Sequence, residues 1–109
     1  MRWTLLLLAL AACGPRPSAE DPGLVVGTVV SVDREPMAYD GDAEIVVRTD
    51  DGRTVTVRIP ARMNLCAAEG LARLDGLAAG DRVEVRGDVG PEGDVTPCTD
   101  AGHHLRVDP

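Results

Sequence analysis

From Leu24 onward the apolar residues recur with the two-residue period of β-strands. Arg53–Ile59 shows it most cleanly: Val55, Val57 and Ile59 share one face, and Thr54, Thr56 and Arg58 share the other. Arg82–Val89 repeats the pattern, with Val83, Val85 and Val89 expected inward and Arg82, Glu84, Arg86 and Asp88 outward. Leu24–Val32 and Ala43–Thr49 are rich in β-branched residues, which suit a pleated surface. Gly27 inside the first run marks a bend or bulge. A fifth strand spans Val95–Val107, interrupted at Pro97 and at Asp100-Ala101-Gly102. Asp50-Asp51-Gly52 is a hairpin turn, because Asp-Gly accepts positive φ. Gly90–Asp94 is a second turn. Only Ala61–Leu74 departs from the strand period. Met63, Leu65, Leu71 and Leu74 with several Ala predict a short helix there, broken near Gly70.

Strands with one short helix between the third and fourth follow the order of a small five-stranded Greek-key barrel. Two stretches carry a resemblance: Leu24-Val25-Val26-Gly27-Thr28-Val29-Val30-Ser31-Val32, and Leu77-Ala78-Ala79-Gly80-Asp81-Arg82-Val83-Glu84-Val85-Arg86-Gly87. They resemble the first and fourth strands of small bacterial OB-fold proteins, in which Gly-Asp introduces an alternating strand that ends in Gly. The resemblance implies a mainly β, OB-like barrel over residues 24–109.

The segment before it has a different character. Arg2 is followed by the unbroken apolar run Leu5–Ala12, long enough for the core of a signal peptide and too short to span a bilayer. The run ends in Leu10-Ala11-Ala12-Cys13-Gly14, which resembles the lipobox of bacterial lipoproteins. The resemblance implies that residues 1–12 are removed and that Cys13 becomes an acylated N-terminus embedded in a lipid bilayer. Gly14 stands where inner-membrane retention is associated with Asp, which implies the outer membrane in a diderm cell. Residues 13–23 then read as the lipidated Cys and a tether. Pro15, Pro17 and Pro22 keep it extended, about 30 Å over ten residues.

Composition narrows the function. The 109 residues carry a net charge of −7, and loss of Arg2 with the leader makes it −8. All basic residues are Arg, Phe is absent, and Tyr39 is the one aromatic side chain beyond the leader besides His103 and His104. Single-stranded nucleic acid is bound by stacking aromatics in a positive groove, so that partner class is disfavoured. Ser18 and Ser31 stand in no Gly-x-Ser-x-Gly elbow, which argues against a serine hydrolase.

With Cys13 assigned to lipid, Cys66 and Cys98 form an even pair in an exported chain and are expected to be a disulfide. The competing use of these residues is a metal site of Cys66 and Cys98 with His103 or His104, the right ligand types for zinc or copper. Adjacent histidines on a strand face opposite ways, so only one would join. The bland alternative leaves both on a solvated strand and turn. A Cys98 nucleophile with a neighbouring His base competes with the disulfide for the same sulfur. Asp40, Asp42 and Glu44, with Asp50 and Asp51, offer oxygen ligands for calcium, but the EF-hand pattern fails because Ile45 follows Glu44.

The expected function is therefore a non-enzymatic, membrane-tethered module of the bacterial cell envelope. It would bind or scaffold an envelope protein, a glycan or a small molecule without a cofactor, and Tyr39 is the candidate ligand contact. The alternative is a metal-binding envelope protein built on the Cys and His residues above.

Overall fold

The computed structural model describes residues 21–109. The three N-terminal runs form an antiparallel meander: β1 is Leu24–Asp33, β2 is Ala43–Thr49 and β3 is Thr54–Ile59. Alternation sorts their side chains. Val25 and Val29 of β1, Ile45 and Val47 of β2, and Val55, Val57 and Ile59 of β3 are buried. A one-residue slip would turn each set outward, so burial fixes the register. Val30 is the extra residue of a bulge between Val29 and Ser31, and it is half exposed. Gly27 is needed for close approach: a β-carbon there would lie 2.1 Å from the Arg48 carbonyl oxygen.

The remaining strands are short. They are β4 (Arg82–Arg86), β5 (Asp88–Val89), β6 (Val95–Thr96) and β7 (His104–Val107). β4 is antiparallel to both β1 and β7, β5 is antiparallel to β6, and β6 is parallel to β3 through Val57 and Val95. The result is one mixed seven-stranded sheet in the order β5-β6-β3-β2-β1-β4-β7. Only Gly87 separates β4 from β5, yet the two lie near opposite ends of that order. The sheet must therefore curl until its ends approach each other, giving a strongly curled half-barrel. Gly87 sits in the closure, where a β-carbon would lie 2.5 Å from the Thr96 carbonyl carbon.

Two expectations change here. The single strand Arg82–Val89 is two strands, and Val89 is 45% exposed rather than inward. Beyond Gly87 the chain leaves β1 and β7 for β6, so the inward face of β4 does not continue. The run Val95–Val107 is interrupted where expected and forms two pieces, because Pro97 has no N–H to give a ladder and Asp100–Gly102 turns. Seven strands thus replace the expected five.

The expected helix between the third and fourth runs is replaced by two short 3-10 segments, Met63–Leu65 and Leu71–Gly76; a third, Glu35–Tyr39, follows β1. The stretch between the first two is engaged elsewhere. The amides of Ala67 and Ala68 donate to the Cys98 carbonyl, that of Glu69 donates to His103, and that of Leu105 donates to the Glu69 carbonyl. A backbone paired across to β7 cannot also close helical turns. Gly70, at φ 83°, then turns the chain into Leu71–Gly76.

Leu71, Leu74 and Leu77 are buried and join Val83, Val85, Val95 and Leu105 in a core without aromatic side chains. Arg34, just after β1, donates to the carbonyls of Leu74 and Leu77 at 2.6 and 2.7 Å, tying this segment to the meander. The chain enters the sheet through Asp21. Its carboxylate pairs with Arg86 at 2.8 Å, and the Gly87 amide donates to Gly23. The proposed leader, Cys13 and all of the tether before Asp21 lie outside the described residues. No helix among the described residues is long and apolar enough to cross a membrane.

Candidate functional site

Apart from Asp50 and Asp51 on the β2–β3 hairpin, the described residues singled out by the sequence fall into two places. The first is a corner where the stretch after β3 meets the approach to β7. Cys66 and Cys98 are joined there in a disulfide, Cα to Cα 4.5 Å, across a separation of 32 residues. Both cysteines are half-buried. His103 stacks its chemistry on the same corner: its Nδ1 accepts the Cys98 backbone N–H at 3.2 Å. That bond assigns the ring proton to Nε2, which faces the Asp88 carboxylate at 3.7 Å. Asp88 also accepts from the Thr99 hydroxyl at 2.9 Å. His104 turns the other way, as strand alternation requires. Its Nε2 lies 2.8 Å from a Glu84 oxygen that also accepts from Arg106 at 2.9 Å.

Both histidines are only 8% exposed, against the expectation of a solvated strand and turn. The reason is the pairing of residues 67–69 along 98–105, which covers this stretch. The four candidate metal ligands do not converge. The two sulfurs are bonded to each other, His103 Nδ1 is taken by a backbone amide, and His104 engages Glu84. Among the described residues no group of three or more His, Cys, Asp or Glu side chains is arranged to hold a metal ion. The nucleophile-and-base pairing of Cys98 with a histidine is occupied by the same two bonds.

Four of the five acidic residues considered for calcium meet arginines instead, and Asp42 is in no ion pair among the described residues. Asp40 pairs with Arg62, Glu44 with Arg58, and Asp51 with Arg53. Asp50 receives a two-pronged bond from Arg82 at 2.7 and 2.8 Å. The Arg82 hydrogen bonds hold the Asp50 carboxyl below its ordinary range. Arg58, bonded to Glu44 and to Asp94, is held more firmly protonated than usual.

The second place is the rim where β1 ends, β2 begins and β3 ends. Tyr39 is here, 88% exposed. It closes the Glu35–Tyr39 turn, which is sealed by Asp40 in the left-handed region at φ 65° and by the Gly41 amide donating to Pro36. Across from it, Met63–Leu65 follows β3 and presents Leu65, 73% exposed. The Arg62–Asp40 pair, 3.4 Å, links the two turns. Sequence reasoning placed Tyr39 in this loop but assigned Leu65 to a helix. A shared signal was available: Met37-Ala38-Tyr39 and Met63-Asn64-Leu65 both set a Met two residues before an apolar side chain. In each turn the Met packs against the core.

Comparison of the chain with protein-family models, with curated proteins and with solved structures finds no match.

Proposed function

We propose that the chain is a lipid-anchored protein of the bacterial cell envelope whose domain is a non-enzymatic binding or scaffolding module with an OB-like barrel. The observation that carries this reading is the division of the three cysteines. Two are bonded to each other, and the third, Cys13, ends the tetrad Leu10-Ala11-Ala12-Cys13. A disulfide suits an oxidising compartment outside the cytoplasm. Acyl chains on Cys13 would hold the protein at a bilayer, each buried methylene contributing about 0.8 kcal/mol. In a cell with two membranes, Gly14 favours the outer one.

The OB-like assignment is supported by connectivity. If β4 and β5 are read as one strand cornered at Gly87, and β6 and β7 as one interrupted strand, five runs remain. They comprise an antiparallel meander, a fourth run beside the first, and a fifth that meets the third in parallel and the fourth in antiparallel. Read so, the runs follow the order of a partly open Greek-key barrel, a kind that binds ligands on a strand face and its bordering loops. A binding role is favoured over catalysis because the one nucleophile-and-base pairing in the sequence is locked into the disulfide and a backbone hydrogen bond.

The test is the intact mass, without reductant, of detergent-extracted protein made with its own leader. The expected mass is that of residues 13–109 with an acylated Cys, less two hydrogens. An unacylated N-terminus removes the anchor. Two free thiols with a bound metal would return the Cys and His residues to first place.

A further inference from the structure

We propose that the rim formed by the Glu35–Tyr39 and Met63–Leu65 turns is a docking surface for a cationic polypeptide segment of another envelope protein. The proposal deepens the reading above and rests on it for the partner's compartment.

The carrying observation is how the two turns spend their apolar residues. Met37 and Met63 pack against the core and anchor each turn. Tyr39 and Leu65, two positions further on, do not pack inward and are 88% and 73% exposed, the highest values among the large apolar side chains of the described residues. Their turns are nonetheless fixed. The Gly41 amide donates to Pro36, the Leu65 amide donates to Arg62, and the Arg62–Asp40 pair joins the two. Single exposed apolar residues are ordinary. Two of them on anchored, mutually tied turns form a prepared surface with little ordering cost on binding.

Charge selects the partner. Asp33, Glu35, Asp40, Asp42 and Glu44 crowd the connection between β1 and β2. Arg34, within it, points its guanidinium at the carbonyls of Leu74 and Leu77. Arg62 and Arg58 answer Asp40 and Glu44, while Glu35 and Asp42 are in no ion pair among the described residues. A phenol ring in the same connection as unpaired carboxylates can receive an Arg or Lys side chain through its face and through charge together. An acidic or neutral partner would leave those carboxylates unanswered.

Position agrees. The chain is seated at Asp21 beside Leu24, where β1 starts, and the rim lies past the other end of that ten-residue strand, about 30 Å away. A domain anchored from its N-terminus presents the rim away from the anchor.

The probe is a dye-labelled hexa-arginine peptide, titrated by fluorescence anisotropy into the mature full-length protein in lipid nanodiscs. Tyr39→Ser and Leu65→Ser should each weaken binding about tenfold, and Asp42→Asn severalfold. Asp50→Asn makes the same charge change at the hairpin end of β2 and should alter binding by less than about twofold. Melting temperatures near that of the parent establish that the variants fold. Equal losses for Asp42→Asn and Asp50→Asn would reduce the effect to overall charge and overturn the proposal. So would absence of peptide binding, rim-dependent binding of a neutral oligosaccharide instead, or self-association abolished by Tyr39→Ser, which would assign the rim to a second copy. Repeating the titration with unanchored protein separates the two readings. Rim-dependent binding by a chain whose mass shows no acylation keeps the docking surface and removes the anchor. An acylated chain without rim dependence does the reverse.

Discussion

The meander β1–β3 and the chain beyond Gly87 belong to one sheet but are held by different means. The meander has strands of ten, seven and six residues, each burying alternate Val or Ile. Beyond Gly87, β5 and β6 are two residues each and β7 is four. So little ladder cannot hold itself, because isolated short hairpins are marginal in water. Point constraints do the work instead: the Cys66–Cys98 bond, the His103 ring on the Cys98 amide, and the Glu84 carboxylate shared by His104 and Arg106. Repetitive pattern supplies stability where strands are long, and individual bonds supply it where they are short.

The comparison breaks most severely at the disulfide. Cys66→Ala with Cys98→Ala should cost about 3.7 kcal/mol on loop entropy, read as a lower midpoint in urea unfolding. Amide exchange should rise first in residues 95–107 and later in the meander. Uniform loosening would show that the two regions are not held separately. Next is Ile45→Ala, which empties a site 1% exposed at the centre of the meander. A loss of about 3 kcal/mol is expected, with no early exchange confined to the C-terminal strands. Arg34→Ala removes two donors to Leu74 and Leu77, and should cost about 1–2 kcal/mol while freeing the 71–76 segment locally.

The smallest effect concerns pH. Asp50, on the β2–β3 hairpin, is bonded to Arg82 of β4, and its carboxyl titrates lower in the folded chain than in the unfolded one. Its contribution is therefore present above the ordinary carboxylate pKa and is lost as pH falls through the lowered folded value. Because the pair is solvent-exposed, the gain is small and screened by salt. Asp50→Asn should flatten the acid limb of the stability profile slightly at low salt and leave it unchanged at high salt. An identical slope in both proteins would remove Asp50 from the account.

The meander was legible because its alternation, its Asp51-Gly52 turn and its β-branched residues agree with one another. The C-terminal part was not, and Val89 shows why. The spacing of Val83, Val85 and Val89 continues unbroken across Gly87, while the chain changes neighbours there. Alternation reports which side a residue faces only while the strand keeps its partners. The helix expected over Ala61–Leu74 failed for a related reason: pairing of residues 67–69 with the distant 98–105 stretch overrides local propensity. At the candidate sites the disulfide was legible from the cysteine count together with the expected export. The burial of His103 and His104 depends on that same long-range pairing, and the exposure of Leu65 on two separate turns being brought together at one rim.

The curl joined at Gly87 bears on how copies of the protein behave toward one another. Proteins confined to a membrane plane meet at high local density, and open sheet edges are then templates for aggregation. Here the outermost strands are β5, two residues long, and β7, whose outer side is already bonded to Glu69. Neither offers a neighbouring molecule a long row of unpaired amides and carbonyls. A sheet folded back on itself is thus also a solubility device, and it would suit the lipid-anchored chain proposed above.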